Sequence, residues 1–394
     1  MKEVIMLTIN KQVNVTLPYS FQNEFKLEEI LFFDIETTGF SPESTLLYLI
    51  GCIYYQGGSW QITQWFADDN ESEQNILHAF FNFIKDYKVL IHFNGDGFDI
   101  PFINKKCERL KLDYSLKGIE SYDIYKKITP FKKMLKLDNY KQRTIEQFLH
   151  INREDTFSGG ELIQVYANYL GLKKLEQLRN RTDKSSLPKS VETKLTKQAE
   201  SLPTKDSNQL LNQLLIHNEE DLKGLLQLTS ILTIADIFQG NYTDIRASLE
   251  EDKLNIHFTL PNPLVNQISY GNDTIYFSAS NMQAILKVTL YQNELKFFYN
   301  NYKDYYYLPE EDTAIHKSVA FYVDKNFRTR AKAANCYSKK TGCFVPQFEE
   351  IYTPYFKIDF HDKVSYVETT TEFLQDTERL ALYMKHILSH LLKH

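Results

Sequence analysis

Apolar residues in the N-terminal part of the chain follow two different periods. A short alternating stretch and then the charged NEFKLEE fill residues 1–29, which predicts a strand and a lead-in. The apolar LFF at 31–33 opens a buried strand. Leu46–Tyr55 and Trp60–Phe66, parted by a Gly57-Gly58 turn, predict two more. Over 70–87 the period changes: Ile76, Leu77, Phe80, Phe81 and Ile84 recur at helical spacing behind acids in the first turn. VLIHF at 89–93 returns to a buried strand, and PFINKKCERLKL at 101–112 starts a helix on Pro101. This alternation predicts α/β architecture.

From Leu137 to Leu232 the pattern is mainly helical. It is broken at SGG (158–160) and by a polar, lysine-bearing segment from Asn180 to Ser207 that reads as an exposed helix. Beyond about residue 236, NDTIYFSAS, QAILKVTLYQ and NELKFFYNNYKDYYYLP predict a β-meander. A helical stretch at Asp312–Val323, a basic segment and a terminal helix at Thr371–Lys393 follow. The change of character places a boundary at 236–245. It gives a strand and lead-in at 1–29, an α/β domain at 30–238, and a smaller β-rich α+β accessory domain at 239–394.

Three groups of carboxylates are candidates for chemistry. Asp34 and Glu36 stand two apart at a strand end, so both face one side and Ile35 the other. Paired acids repel, and their desolvation is costly without a cation. A bare D-x-E is usually a solvated strand end, but FFDIETTG is a far more specific string. In HFNGDGFDIPF (92–102), Asp99 follows a glycine-containing turn, and a helix N-cap is its bland alternative. Asp96, between two glycines, reads as a turn residue. In IHNEEDLKGLLQL (216–228), helical phase selects among three acids: Leu210, Leu214, His217, Asp221, Leu225 and Leu228 share one face. Glu219, Lys223 and Gln227 fall opposite, with Glu220 at the edge. Asp221 and His217 therefore point inward, either as a site or as a buried Asp-His pair, and Gly224 leaves room for close approach.

FDIETTG, then N-x-x-x-F-D (Asn94, Phe98, Asp99), then an acid on a late helix resemble the three motifs of the DEDD exonuclease superfamily. The stretch from about 30 to 235 is similar to YprB-like ribonuclease H-like proteins, with TIEQFLHINREDTFSGGELIQVYANYL (144–170) fitting their middle section. The resemblance implies a ribonuclease H-like mixed sheet flanked by helices. It also implies two divalent cations, Mg²⁺ or Mn²⁺, on Asp34, Glu36, Asp99 and Asp221. Thr37, Asn94 and Phe98 would contact substrate. H-x-x-x-D mixes the histidine of one subclass with the spacing of the tyrosine subclass. His217 is expected as the general base, with orientation of Asp221 or of the water as its other role.

Composition narrows the partners. A net charge of −6 argues against coating nucleic acid by bulk electrostatics, though not against phosphate binding through metal ions. The four cysteines are too scattered for a disulfide framework, and no apolar run suggests a leader or a membrane span, so a cytoplasmic address is expected. Asp123 reads as a surface strand end, with an acid that supports the site from behind as its alternative. Lysines 126, 127, 132, 133 and 136 read as a solvated face, and the tyrosines at 299–307 as half-buried strand core. The basic segment from Lys325 to Lys340, interleaved with Phe327 and Tyr337, suits single-stranded nucleic acid. The expected function is metal-dependent phosphodiester hydrolysis, a 3′→5′ exonuclease on single-stranded or frayed DNA or RNA ends. Two rivals stand beside it: a catalytically silent nucleic-acid-binding module, and a proofreading or processing subunit acting in trans.

Overall fold

The structure is a computed structural model that describes residues 6–21, 25–155, 157, 159–181 and 206–393. Most of the expected helix at Asn180–Ser207 lies outside the described residues. The chain divides into two units, Met1–Thr129 with Leu137–Leu232, and Pro130–Lys136 with Thr233–His394.

In the first unit, β1 (Met6–Val13), β2 (Ile30–Thr37), β3 (Leu47–Gln56), β4 (Ser59–Ala67), β5 (Val89–His92) and β6 (Glu120–Asp123) form one mixed sheet, ordered β1-β4-β3-β2-β5-β6. β1, β4, β3 and β2 pair antiparallel, while β5 and β6 join parallel. The lead-in strand is thus an edge of this sheet. The near-continuous apolar run of β2 follows from its central place, with Ile30–Phe33 buried on both faces. Helix α1 (Glu73–Phe83) buries Ile76, Leu77, Phe80 and Phe81, the stripe read from the sequence. Phe80 meets Phe33 at 5.7 Å between ring centroids. Helix α2 (Asp99–Leu110) follows β5. The closing helix, Ser207–Gln227, packs on β2, β3 and the helix Gly159–Arg181. No helix among the described residues is long and apolar enough to cross a membrane.

The second unit contains an antiparallel meander, Thr243–Glu250, Lys253–Gly271 and Ile275–Thr289, and two further three-stranded sheets. Two sequence expectations are corrected here. The stretch Asp312–Val323 is a strand, Thr313–His316, followed by one helical turn, Lys317–Ala320. Its residues pair with Tyr305–Leu308, so ladder hydrogen bonds outweigh helical propensity. The terminal helix is broken at Asp376, whose extended backbone ends Thr371–Gln375 and whose carboxylate accepts from the Arg379 amide to start Thr377–Lys393.

Candidate active site

Strand alternation puts Asp34 and Glu36 on the face of β2 that meets the closing helix. Asp99 opens α2, where its own amide and that of Ile35 favour the charged carboxylate. The loop before it is held by Asp123, which accepts from the amides of Asn94 and Asp96 at 3.0 and 3.3 Å. Asp123 is therefore buried beneath the loop and is not the surface strand end expected from sequence. Asn94 itself is exposed, in the left-handed region at φ 61°, which asparagine tolerates.

The four acids feel one another's charge, while ligand atoms of Glu36, Asp221 and His217 also lie within 4.8 Å of one another. Burial, then Asp221, Asp99 and Glu36, push Asp34 well above its ordinary value. Burial, with Asp221 and Asp99 against it, pushes Glu36 up to about 8, although the His217 cation pulls the other way. Burial pushes Asp99 up to about 7. Asp221 differs: burial opposes its charge, but His217 and Arg153 hold it below the usual carboxylate range. Oδ2 of Asp221 is 3.1 Å from Nε2 of His217, and Oδ1 accepts from Arg153. His217 places Nδ1 2.5 Å from Oδ2 of Asp155 and Nε2 3.7 Å from Oε1 of Glu36. Burial alone would lower the imidazole, but Asp221, Glu36 and Asp155 raise it to about 9, so it is a cation at neutral pH in the metal-free chain.

A metal fits these residues. Oε1 of Glu36 is buried without a hydrogen-bond partner among the described residues, and ligand atoms of Glu36, His217 and Asp221 all lie within 4.8 Å of one another. A buried oxygen that wants a donor, among acids that repel one another, is the condition a hard cation relieves.

Several residues of the site were not singled out from sequence. Arg153 bridges Asp221 to Glu146, a side chain only 1% exposed, with Nη1 on Asp221 and with Nε and Nη2 on Glu146. Asp155 seats the imidazole and is itself held by Arg143. Asn218, fully buried, donates to Oδ2 of Asp34 at 3.1 Å and accepts from Gln64 at 2.9 Å. Glu219, expected on the polar side, is also buried and pairs with Lys11 of β1 and with Lys223. Thr37 donates to the Gly39 carbonyl and so shapes the turn after β2. Beyond that turn Phe40 is 90% exposed, with its ring 6.1 Å from that of Phe98. The basic run divides between the units: Lys126 pairs with Asp96 in the first, while Lys132, Lys133 and Lys136 belong to the second.

Two glycines make the network possible. A Cβ on Gly224 would fall inside the Glu146 carboxylate, with Cδ at 2.8 Å, so the room read from the sequence is filled by the partner of Arg153. A Cβ on Gly51 would overlap the Asn218 amide and lie 2.8 Å from Cδ1 of Leu222. Gly51→Ala is therefore expected to destabilise by about 1–3 kcal/mol, the scale of core overpacking. Gly171→Ala, on an open helix surface, should gain up to about 1 kcal/mol. Denaturant melts of both proteins check this pair, and a Gly51→Ala midpoint equal to the parent's would refute the packing argument.

Residues 31–183 match the family model RNase_H_2, described as RNase_H superfamily. A DNA polymerase of Ostreid herpesvirus 1 (isolate France) is 38% identical over 60 residues, 15% of this chain and 3% of that protein. DNA polymerase 1 of Sulfurisphaera ohwakuensis is 35% identical over 71 residues, 18% of this chain and 8% of that one. The chain thus spans a small fraction of these relatives. The family B DNA polymerase structure from Pyrobaculum calidifontis superposes with a TM-score of 0.30 at 13% identity, covering 70% of this chain and 35% of that one. The family match lies mainly within the first unit, whose mixed sheet flanked by helices is consistent with an RNase H-like fold.

Proposed function

We propose that the first unit is a metal-dependent nuclease that hydrolyses phosphodiester bonds, acting 3′→5′ on single-stranded or frayed ends. The observation that carries this reading is the orphaned Oε1 of Glu36, clustered with Asp221 and His217 among the mutually repelling Asp34, Glu36, Asp99 and Asp221. Bound there by these four acids, a pair of divalent cations would neutralise the site, withdraw the charge that raises His217, acidify a water and stabilise a leaving 3′ oxygen. The chain's own residues do the rest. Asn218 and Arg153 hold Asp34 and Asp221 in place. Asp155 fixes the imidazole so that Nε2, facing Glu36 and Asp221, exchanges a proton with the attacking water. The exposed ring of Phe40, beside the half-buried ring of Phe98, offers a stacking surface to a terminal base. Similarity to polymerase segments, and the YprB-like order of the motifs, agree with this activity.

End-labelled DNA and RNA oligonucleotides incubated with Mn²⁺, with product ladders read from each end, test substrate and polarity together. Internal cuts without a ladder would replace exonuclease by endonuclease. Both oxygens of Asp221 are engaged by His217 and Arg153, which favours one rival, a silent binding module of the same fold. No hydrolysis at any metal concentration would select it. Mn²⁺ should also raise the melting temperature, because ions that bind only the folded state stabilise it by mass action. An equal rise in Asp34→Asn would place the ions elsewhere.

A further inference from the structure

The second unit carries a cluster of residues that neither its core nor the proposed reaction uses. Tyr306, in the middle strand Tyr305–Leu308, faces Arg330 across the ladder. The guanidinium of Arg330 lies 4.4 Å from the Tyr306 ring centroid, and that of Arg328 lies 4.9 Å from the same centroid. Each ring face attracts a cation, but two cations gathered on one ring repel each other. Ion pairs in this part of the unit join Lys317 to Asp304, Lys339 to Glu294 and Asp312, and Lys340 to Glu368. Among the described residues no carboxylate pairs with Arg328, Arg330, Lys325 or Lys332. The cluster is positive and lacks its anion.

Open aromatic rings adjoin it. Arg328 donates to the carbonyl of Ala320, which ties it to the turn bearing Phe321 and Tyr322. Those rings are 77% and 86% exposed and stand edge to face, 5.6 Å apart. Val319 and Phe327, both more than half exposed, extend the same segment. A contiguous apolar patch beside unpaired cations calls for a ligand that joins phosphates to flat rings. Between Lys317 and Lys340 seven cations face a single acid, Asp324, in a chain of net charge −6. The attraction for a polyanion is therefore local.

We propose that Phe321, Tyr322, Arg328 and Arg330 form a binding site for single-stranded nucleic acid, in which the rings stack on bases and the guanidiniums take phosphates. The choice of nucleic acid among phosphate-bearing partners rests on the nuclease reading of the first unit. The site gives the second unit a grip on the same class of polymer.

The test uses the full chain carrying Asp34→Asn, in EDTA, titrated into fluorescein-labelled oligothymidylate and oligouridylate and read by anisotropy. Phe321→Ala with Tyr322→Ala is expected to weaken binding about tenfold or more while leaving its salt dependence unchanged. Arg328→Gln with Arg330→Gln should weaken binding and flatten the log–log salt slope by about 1.4, or roughly 0.7 for each phosphate contact on a single strand. Arg328→Lys with Arg330→Lys should keep the parent slope. The two oligonucleotides report DNA against RNA preference. Unchanged affinity in both the alanine and glutamine variants overturns the proposal. So does loss of binding to phosphatidylserine vesicles with oligonucleotide affinity intact, which would make the patch a membrane contact. The assay needs neither metal nor turnover. A parent chain that binds but never hydrolyses therefore defeats only the nuclease reading, and active hydrolysis with indifferent variants defeats only this one.

Discussion

Asp34→Asn, Glu36→Gln, Asp99→Asn and Asp221→Asn should each lower hydrolysis by about 10³-fold or more, the scale of losing one charge-stabilising contact at a reacting centre. The four should separate in stability. Asp34, Glu36 and Asp99 are buried against one another with raised proton affinities, so their charges destabilise the metal-free fold. Their amides should melt higher than the parent in EDTA. Asp221 is held low by His217 and Arg153, so its amide should melt lower. The pH dependence follows the same signs. Glu36 at about 8 and Asp99 at about 7 lie above their unfolded values, so the metal-free fold loses stability as each ionises. His217, raised to about 9, contributes stability that is also lost as pH rises through that value. The EDTA-treated protein should therefore melt progressively lower from about pH 5 to about pH 9. Wild-type rate in any one variant removes that residue from the site, and a flat melting profile contradicts the crowding of charge.

Arg153→Met should have the largest effect on the fold. It would leave Glu146, 1% exposed, as a buried charge without its partner, at a cost of about 3–5 kcal/mol. Adding Glu146→Leu should recover most of that loss, because an apolar pair of similar volume carries no desolvation penalty. Metal affinity should nevertheless stay about 10–100-fold down in the double variant, since Asp221 has lost the donor that orients it. Denaturant midpoints with and without Mn²⁺ measure both quantities. A single variant that loses under about 1 kcal/mol would mean that water reaches Glu146.

The sequence revealed what local periodicity and short motifs encode. Alternation placed Asp34 and Glu36 on one face of a strand, and the apolar stripe of α1 appeared as read. Helical phase turned His217 inward. It failed for Glu219 because Lys11, on the edge strand, reaches across to pair with it, a partner that helical phase does not record. Arg153, Asp155 and Asn218 were invisible for a different reason. Their roles depend on partners 68, 62 and 184 residues away, which no local pattern records. Asp123 looked like a strand end, and only the folding of the Asn94–Asp96 loop over it turned it into an anchor.

The pairing of Lys11 with Glu219 joins positions 208 residues apart. At about 5–20 residues per second, that separation is roughly 10–40 s of synthesis. Throughout that interval a nascent chain exposes Asp34, Glu36 and then Asp99 without the helix that brings Asp221, Asn218 and His217. The group of four acids is thus completed last, when the closing helix is made. A premature stop between Asp123 and the closing helix would release the six strands with Asp34, Glu36 and Asp99 but without Asp221.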